Sequence, residues 1–318
     1  MALPSAFNTD LLASTINNWM VDHGVQDNIF KANALIFLLT RNRGPNSFRA
    51  GGNQIVQPLM YAENTSRGSY SGYDLMDVTP REVLTDAAFD WKQVYVTISI
   101  SGRERLINQG NAAQFSVLEQ RIRNAEMSMQ AELDTQVYTD GTGNSSKDVT
   151  GLALAVDSAG TYGGIARAAE TWWSSTETAA GGVITEGLLQ ALYNTVSLGR
   201  VGGSPDLGLT TQAIYEGYED LLTPDKRYND SALASAGFET LRYKGADIVW
   251  DEGCTSQLFF FLNTNFFDWV THSDRDMVAT PAKSPTNQDA DVMQLLWMGN
   301  LTQSNCRKSG KLTGVTNS

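Results

Sequence analysis

The sequence predicts an α+β fold. In several stretches apolar residues recur every three or four positions, as on one face of a helix, and in others they alternate with polar residues, as along a half-buried strand. These stretches follow one another without a strict repeat, which favours α+β over a repeating parallel fold. The chain has 318 residues, of which 42% are apolar and 18% charged, so it can bury a sizeable core.

Composition argues against several functional classes. Asp and Glu outnumber Lys and Arg by 35 to 23, giving a net charge of −12, and such a surface repels the phosphates of duplex DNA. Two histidines and two cysteines are few for histidine-based catalysis or zinc binding. We expect Cys254 and Cys306 to be reduced and semi-buried in a cytosolic protein. The longest apolar run, residues 34–39, is too short for a membrane span, and no signal peptide is evident.

Residues 1–52 are predicted to form an N-terminal arm with two helices. In the first helix, apolar residues recur at helical spacing: Leu11, Leu12, Ile16, Trp19 and Met20. The second covers residues 27–39 and ends before Gly44-Pro45, because proline cannot continue a helix. Three arginines make the arm locally basic: Arg41, Arg43 and Arg49. A solvated loop is the favoured interpretation of these arginines, and contact with an acidic neighbour or nucleic acid is the alternative.

Residues 53–103 are predicted to form an extended two-stranded loop. The return strand is clear, because residues 93–100 alternate polar and apolar side chains. The outgoing strand, residues 53–62, is interrupted by Pro58, which suits an edge. The tip, residues 63–90, is far longer than a usual hairpin turn, and a two-stranded ribbon is marginally stable alone. Either the loop folds back on its own domain, or another subunit covers it.

Aromatic residues around the loop favour cover by another subunit, because tyrosine and tryptophan are common anchors in protein interfaces. The tip is also acidic, with only two arginines among its carboxylates. We therefore predict that contacts between subunits involve six residues of the loop and the arm: Tyr61, Tyr70, Tyr73, Arg81, Trp91 and Trp19.

A long helix is predicted for residues 108–140. Its apolar residues fall three or four apart and form one continuous stripe: Phe115, Leu118, Ile122, Ala125, Met129, Leu133 and Val137. About 30 residues would give a helix about 45 Å long, which is long for a domain of this size. The helix ends at the turn-rich segment 140–144.

The rest of the chain mixes strands with helices. Strands are predicted by short apolar runs bounded by turn residues: residues 149–156, 207–211, 246–250, 258–262 and 292–298. Helices are predicted for residues 185–198 and 212–222. The three strands from residue 246 onward read as buried.

No catalytic, cofactor or metal site emerges from the motifs. The chain has no phosphate-binding GxxxxGK[ST] loop and no GxSxG nucleophile elbow. Four acidic pairs could in principle do acid/base work or hold a cation: Glu219-Asp220, Asp251-Glu252, Asp274 with Asp276, and Asp289 with Asp291. None has a supporting His, Lys or carboxylate cluster, so exposure to solvent is the favoured interpretation. We predict that the protein is not an enzyme and has no cofactor.

The order of parts resembles the major capsid proteins of tailed double-stranded-DNA bacteriophages: an arm, a long two-stranded loop, a long helix and an α+β remainder. The resemblance covers nearly the whole chain and is densest after residue 160. Short stretches similar to family segments occur in the family order: YGGI at 162–165, WW at 172–173, TPDKRY at 223–228, AGF at 236–238, YKGADIVWD at 243–251, FLNT at 261–264 and LLWMGNLT at 295–302. None of them is catalytic, and their order is what makes the match specific.

The resemblance implies a division of the chain into parts. Residues 53–103 would be the extended loop that lies over a neighbouring subunit, and residues 104–200 the peripheral domain with the spine helix. Residues 201–269 would form the axial domain, and residues 270–318 would return to the peripheral domain. Some relatives form covalent Lys–Asn links between subunits, but residues 53–90 contain no lysine, so such a bond from the loop tip is not expected.

The resemblance also implies partners and a location. Similar proteins form pentamers and hexamers that close into an icosahedral shell around genomic DNA, so we expect the protein in the virion, made and assembled in the cytoplasm of a bacterial host. A separate scaffolding protein is expected because the chain enters the arm almost directly after Met1, and a portal is expected as well. The acidic charge predicts at most weak, non-specific contact with the packaged DNA, and no membrane is involved.

Two alternatives remain open at the level of sequence. The first is the shell of an encapsulin-like compartment, which shares the architecture but packages protein cargo. The second, from a different class, is a cytosolic enzyme that uses an acidic pair such as Asp274 and Asp276. Alanine at both positions would abolish activity in an enzyme and leave assembly unchanged in a shell protein.

Overall fold

The fold is built on two β-sheets. The computed structural model describes residues 34–41, 47–107, 117–199, 203–222 and 241–317. Within these ranges the strands form a five-stranded sheet, a six-stranded sheet and two two-stranded ribbons. Helices and sheets are both present, as the sequence predicts for an α+β fold.

The strands and helices have the following bounds. The strands are β1 Phe48–Arg49, β2 Ile55–Met60, β3 Leu84–Phe89, β4 Lys92–Ser101, β5 Thr161–Tyr162, β6 Ile165–Ala166, β7 Thr176–Val183, β8 Leu207–Thr210, β9 Leu241–Tyr243, β10 Ala246–Trp250, β11 Leu258–Leu262, β12 Phe267–His272, β13 Val278–Ala279, β14 Ala290–Gln303 and β15 Gly310–Thr316. The α-helices are α1 Ala34–Arg41, α2 Gly102–Ile107, α3 Val117–Val137, α4 Leu152–Ala155, α5 Glu186–Ser197 and α6 Gln212–Leu221. Short 3₁₀ turns lie at Thr171–Trp173, Thr264–Phe266 and Cys306–Lys308, and Gly143–Ser146 is a turn with left-handed backbone.

The five-stranded sheet has the order β1-β12-β14-β13, with β4 paired along β14. The alternation predicted for residues 93–100 is confirmed, because Val94 and Ile98 are buried and Gln93 and Tyr95 are exposed. The predicted partner of this strand is wrong. The outgoing strand β2 pairs with β3, from Ile55 opposite Phe89 to the tip, whereas β4 pairs with β14. Alternation reveals which face of a strand is buried, but it does not reveal which strand lies beside it.

The six-stranded sheet has the order β7-β15-β11-β8-β10-β9. The predictions for residues 246–250 and 258–262 are confirmed as β10 and β11. Residues 292–298 form a strand, as part of the longer β14, but their predicted burial is wrong in part, because only Leu295 and Trp297 are buried there. In β11, Phe259 and Phe261 pack in the core beneath α5 and α6, whereas Phe260 and Leu262 pack in the core shared with α3. The sheet is therefore covered on both faces, which explains the continuous apolar run.

The long helix α3 carries the predicted stripe in its described part. Ala125, Met129, Leu133 and Val137 are all buried, and the helix packs against β4 and β14. Residues 108–116 lie outside the described residues, as does the first predicted helix of the arm. The second helix of the arm is described from Ala34 to Arg41.

The strand predicted for residues 149–156 is wrong, since this segment contains the short helix α4. Five of the eight positions are buried and the other three are partly buried, and a short apolar run without a clear period does not distinguish strand from helix. The deciding contacts are tertiary. Arg167 donates hydrogen bonds to the carbonyl oxygens of Leu154 and Ala155, each at 2.8 Å, and so satisfies the carbonyl groups at the end of the turn.

One acidic pair departs from the predicted exposure to solvent. Asp251 is 1% exposed, and its Oδ2 accepts hydrogen bonds from the backbone N–H groups of Ala34 and Leu35 at 3.2 and 3.3 Å. Amides at the start of a helix lack partners within the helix, so a buried carboxylate is stable there. The burial comes from the packing of α1 on the end of β10, which the local sequence does not show. Its neighbour Glu252 is exposed, as predicted.

Cys254 and Cys306 form no disulfide, as predicted, and are more deeply buried than predicted. Burial raises the pKa of each thiol to about 12. No helix in the described part of the chain combines the length and the apolar character needed to cross a membrane. Over the same ranges, no three His, Cys, Asp or Glu side chains gather into a group that could hold a metal ion.

Candidate assembly surface

The ribbon formed by β2 and β3 is anchored to the core through its inner face. Ile55, Leu59, Ala87 and Phe89 are all buried on that face. The backbone N–H of Ala88 donates to the carbonyl oxygen of Gly163 at 2.9 Å. A glycine is required at 163, because its φ is +58° and a Cβ there would lie 2.9 Å from the Cβ of Ala87.

The outer face of the same ribbon is largely apolar, with the exposed Asp86 opposite Pro58 at its centre, and the described chain leaves much of it uncovered. Val56, Met60 and Leu84 are 43%, 75% and 68% exposed, and Met60 lies directly opposite Leu84. Strands with apolar side chains on both faces are usually covered on both sides by other parts of a protein or by a partner. The ribbon therefore presents a face that is suited to contact with another molecule.

The base of the ribbon is held by polar and aromatic contacts within the chain. Trp91 donates its indole N–H to the carbonyl oxygen of Gly52 at 2.9 Å and packs edge-on against His272, with ring centroids 5.6 Å apart. The side chain of Asn300 donates to the carbonyl oxygen of Asp90 at 2.9 Å. Trp91 thus has a structural role at the base of the ribbon, whatever it contacts in an assembly.

The tip of the loop, residues 61–83, carries the largest group of exposed apolar side chains among the described residues. Tyr73 and Leu75 are fully exposed, and Tyr70, Met76 and Val78 are 65%, 59% and 88% exposed. The described chain therefore does not cover the side chains of Tyr73 and Leu75, and it covers the other three only in part. Several uncovered apolar residues in one segment mark an interaction site more often than a random feature of the surface.

Hydrogen bonds across the loop hold the two arms of the tip together. The Asp77 carboxylate accepts from the backbone N–H of Thr79 at 3.0 Å and from the hydroxyl of Ser66 at 3.3 Å. The Ser66 hydroxyl also donates to the carbonyl oxygen of Thr79 at 2.9 Å. Arg81 lies 3.4 Å from Asp77. The hydrogen bonds from Thr79, followed by those from Ser66 and Arg81, lower the pKa of the Asp77 carboxyl.

The structure places the predicted contact residues in different environments. Tyr70, Tyr73 and Arg81 are exposed on the loop, whereas Tyr61 is partly buried against Trp172, with ring centroids 5.7 Å apart. Trp91 lies at the base of the ribbon, and Trp19 lies outside the described residues. Their contacts with other subunits stay a prediction. The prediction missed the aliphatic residues Leu75, Met76 and Val78 because, apart from Arg81, it considered aromatic anchors. The available signal was an apolar cluster inside a segment rich in Gly, Ser and Asp.

Comparisons with known proteins bear on the fold. The sequence matches no protein-family model and no curated protein. Among solved structures, the cyanophage A-1(L) capsid asymmetric unit matches with a TM-score of 0.72 and 15% identity, covering 99% of this chain and 100% of that one. The capsid of a native GTA particle matches with a TM-score of 0.62 and 14% identity, covering 99% and 100%.

An encapsulin structure matches over a similar length. The SrpI encapsulin of Synechococcus elongatus PCC 7942 has a TM-score of 0.57 and 9% identity, with 100% of this chain and 98% of that one covered. This TM-score is lower than those of the cyanophage and GTA capsids. The predicted fold, that of phage major capsid proteins, is confirmed over essentially the full chain.

Proposed function

We propose that the protein is the major capsid protein of a tailed bacteriophage and assembles into the icosahedral shell that encloses the genome. The observation that carries the proposal is the combination of the capsid-protein fold with an extended loop whose apolar side chains the described chain leaves uncovered. Exposed apolar groups at one end of a projecting ribbon are stabilised by association with other copies.

The same features suggest how copies contact each other. A projecting loop that reaches a different surface on the next copy makes a head-to-tail contact, and such contacts form a ring when the rotation from copy to copy closes. Rings of five and six subunits are the proposed capsomers. In this assembly residues 53–103 reach over the neighbour, residues 104–200 and 270–318 form the peripheral domain, and residues 201–269 point to the centre of the ring.

The charge of the chain supports a shell that holds DNA weakly. Each copy carries a net charge of −12, and many copies in a closed wall repel phosphate groups. As the shell protein of a phage, the chain would be located in the virion and would assemble in the cytoplasm of the bacterial host. A separate scaffolding protein and a portal are the proposed further partners, because uncontrolled association of the exposed tip would not by itself fix the size of a shell.

The encapsulin match supports a second candidate, a compartment that packages protein. The contents of purified particles distinguish the two. A phage capsid expressed within an infection contains DNA that resists nuclease until the shell is opened, whereas an encapsulin-like shell contains a co-purifying protein and no protected DNA.

Assembly itself is tested by expressing the full chain, alone and together with candidate scaffolding proteins from neighbouring genes. Sedimentation velocity and electron microscopy should show closed shells or rings of five or six copies. Well-folded monomers under all of these conditions would contradict the proposal.

A further inference from the structure

We propose that the hairpin formed by β5 and β6 fixes the direction in which the ribbon leaves the core, and that Arg167 is the positioning residue that holds this hairpin in place. We call residues 161–167 the bracket. The inference rests on the proposed shell function, because a head-to-tail contact forms a ring only when the rotation from copy to copy closes. A ribbon with a fixed direction gives every copy the same rotation.

Arg167 is a buried cation, 1% exposed, and each of its five N–H donors has an acceptor. The acceptors are the carbonyl oxygens of Leu154, Ala155, Ala159 and Trp173, at 2.8–3.2 Å, and the thiol sulfur of Cys306, at 3.9 Å. Three of these carbonyl groups precede the hairpin in the chain and one follows it. The guanidinium therefore joins the two ends of the segment that carries the hairpin, which needs a planar group with five donors.

A layer of buried rings connects Arg167 to the ribbon. The guanidinium lies over the ring of Tyr162, 5.1 Å from its centroid. Tyr162 packs edge-on against Phe89 of β3, with ring centroids 5.0 Å apart, and stacks on Trp173 at 6.0 Å. The indole N–H of Trp173 donates to the carbonyl oxygen of Tyr162 at 2.9 Å. The position of the guanidinium thus determines where the Tyr162 ring meets the ribbon.

The turn of the hairpin also contacts the ribbon through the backbone. The N–H of Ala88 donates to the carbonyl oxygen of Gly163 at 2.9 Å, next to the ring contact made by Phe89. A hydrogen bond depends on the angle between its groups, whereas burial of apolar surface has no preferred direction. This bond and the ring contact therefore fix the direction of the ribbon, which apolar packing of its inner face alone would leave free to vary.

Two neighbouring glycines of the turn separate this contact from backbone strain. Gly163 and Gly164 have φ of +58° and +78°, so alanine strains the backbone at either position. At 163 the added Cβ would lie 2.9 Å from Ala87 and Phe89, whereas at 164 it would meet nothing within 4 Å. Gly163→Ala therefore disturbs the ribbon, and Gly164→Ala is its matched control.

A distance measurement tests the direction of the ribbon. Spin labels on Met60→Cys, in the ribbon, and Val183→Cys, in the six-stranded sheet, would lie at exposed sites, and both native thiols are buried. In full-length subunits below the concentration needed for assembly, Gly163→Ala should shift or broaden the distribution of distances between the labels. Gly164→Ala should leave it as in the wild type. A distribution that Gly163→Ala leaves unchanged would overturn the inference.

Replacing Arg167 by Lys tests the positioning role, because lysine keeps the charge but offers three donors and no planar fork. Hydrogen exchange of residues 84–89 and 161–166 should accelerate by about tenfold or more, while β8 and β11 keep their protection. Equal acceleration in all four segments would show that Arg167 supports only global stability. If Arg167→Lys does not fold, the glycine pair decides the question.

Assembly separates this inference from the proposed function. Gly163→Ala should form fewer closed shells and more open or uneven ones by electron microscopy, and Gly164→Ala should assemble like the wild type. If both variants assemble like the wild type, the bracket does not control assembly and the shell function stands. If the wild-type chain never assembles, the shell function and this consequence fail together, and the distance measurement alone decides whether the bracket directs the ribbon.

Discussion

The guanidinium of Arg121 lies 2.8 Å from the carboxylate of Glu104. This ion pair joins α3 to the first turn of α2, which follows directly after β4. The Glu104 side chain is buried, with 6% of the residue exposed. The backbone N–H and the hydroxyl of Ser101 both donate to the same carboxylate at 3.1 Å. The pair therefore fixes the first described turns of α3 to the segment that follows β4.

Replacing Glu104 by Gln should lower the free energy of unfolding by about 1–3 kcal/mol, because it leaves the Arg121 guanidinium with a weaker acceptor in a largely buried site. Urea unfolding of the wild type and of Glu104→Gln at pH 7 measures this difference. Arg123→Gln, at an exposed position on the same helix, is the control and should change stability by less than about 0.5 kcal/mol.

The stabilisation by this ion pair should depend on pH. Burial acts to raise the pKa of the Glu104 carboxyl, but the hydrogen bonds from Ser101 and Arg121 and the charge of Arg121 outweigh it and lower the pKa. The folded-state pKa thus lies below the unfolded value of about 4.3. The contribution is complete above that value and is lost as the pH falls through the folded-state pKa. A wild-type-to-variant difference that stayed constant down to pH 3 would contradict this account.

The hydrogen bonds that the Asp251 carboxylate accepts from Ala34 and Leu35 should anchor α1 to the rest of the protein. Asp251→Ala removes the acceptor for three backbone N–H groups, those of Ala34 and Leu35 in α1 and that of Gly253 in the following turn, and should cost about 1–3 kcal/mol of stability. Hydrogen exchange of residues 34–41 should accelerate more than that of α5. Glu252→Ala changes the exposed neighbour and serves as the matched control; equal effects of the two substitutions would show that the buried carboxylate is not the cause.

Shortening the loop should separate folding from assembly. Tyr61 donates its backbone N–H to the carbonyl oxygen of Val83 at 3.1 Å, so Asn-Gly in place of residues 62–82 would close a two-residue hairpin. We expect this variant to fold with an unchanged unfolding midpoint and to form no shells, as judged by thermal unfolding and electron microscopy. Shells formed by the shortened chain would exclude the tip as an assembly contact.

The choice of deletion limits depends on the structure. From the sequence alone, removal of residues 63–90 is expected to leave the core folded. Ala87 and Phe89 are buried on the inner face of β3, so that longer deletion would also remove part of the core and confuse misfolding with loss of assembly. It should therefore serve as the contrasting variant, with a lower unfolding midpoint.

The two thiols should be unreactive in the folded protein. Burial raises the pKa of Cys254 and Cys306 to about 12, so the thiolate fraction near pH 8 is roughly 10³-fold smaller than for an exposed thiol with a pKa of about 8.5. Ellman's reagent should modify neither residue quickly in native buffer and both at once in guanidinium chloride. Rapid reaction of the native protein would contradict the burial of both thiols.

The sequence predicted those features that depend on local periodicity. Apolar residues at helical spacing predicted α3 and α5, and alternation predicted β4. Short continuous apolar runs between turn residues predicted β10 and β11. The exposure of Tyr70 and Tyr73 also followed from their place in a long loop rich in turn residues. Amphipathic pattern and turn chemistry act over short distances along the chain, so they can be read from the sequence itself.

Tertiary structure alone decided which distant segments meet. It paired β4 with β14, nearly two hundred residues away, and made β3 the partner of β2. It buried Asp251 by bringing α1 onto the end of β10, and it turned residues 152–155 into a helix whose carbonyl groups bind Arg167. It also left the side chain of Leu75 exposed to solvent. A side chain's neighbours across a sheet or a core are set by the packing of the whole chain, and that packing has no period in the sequence.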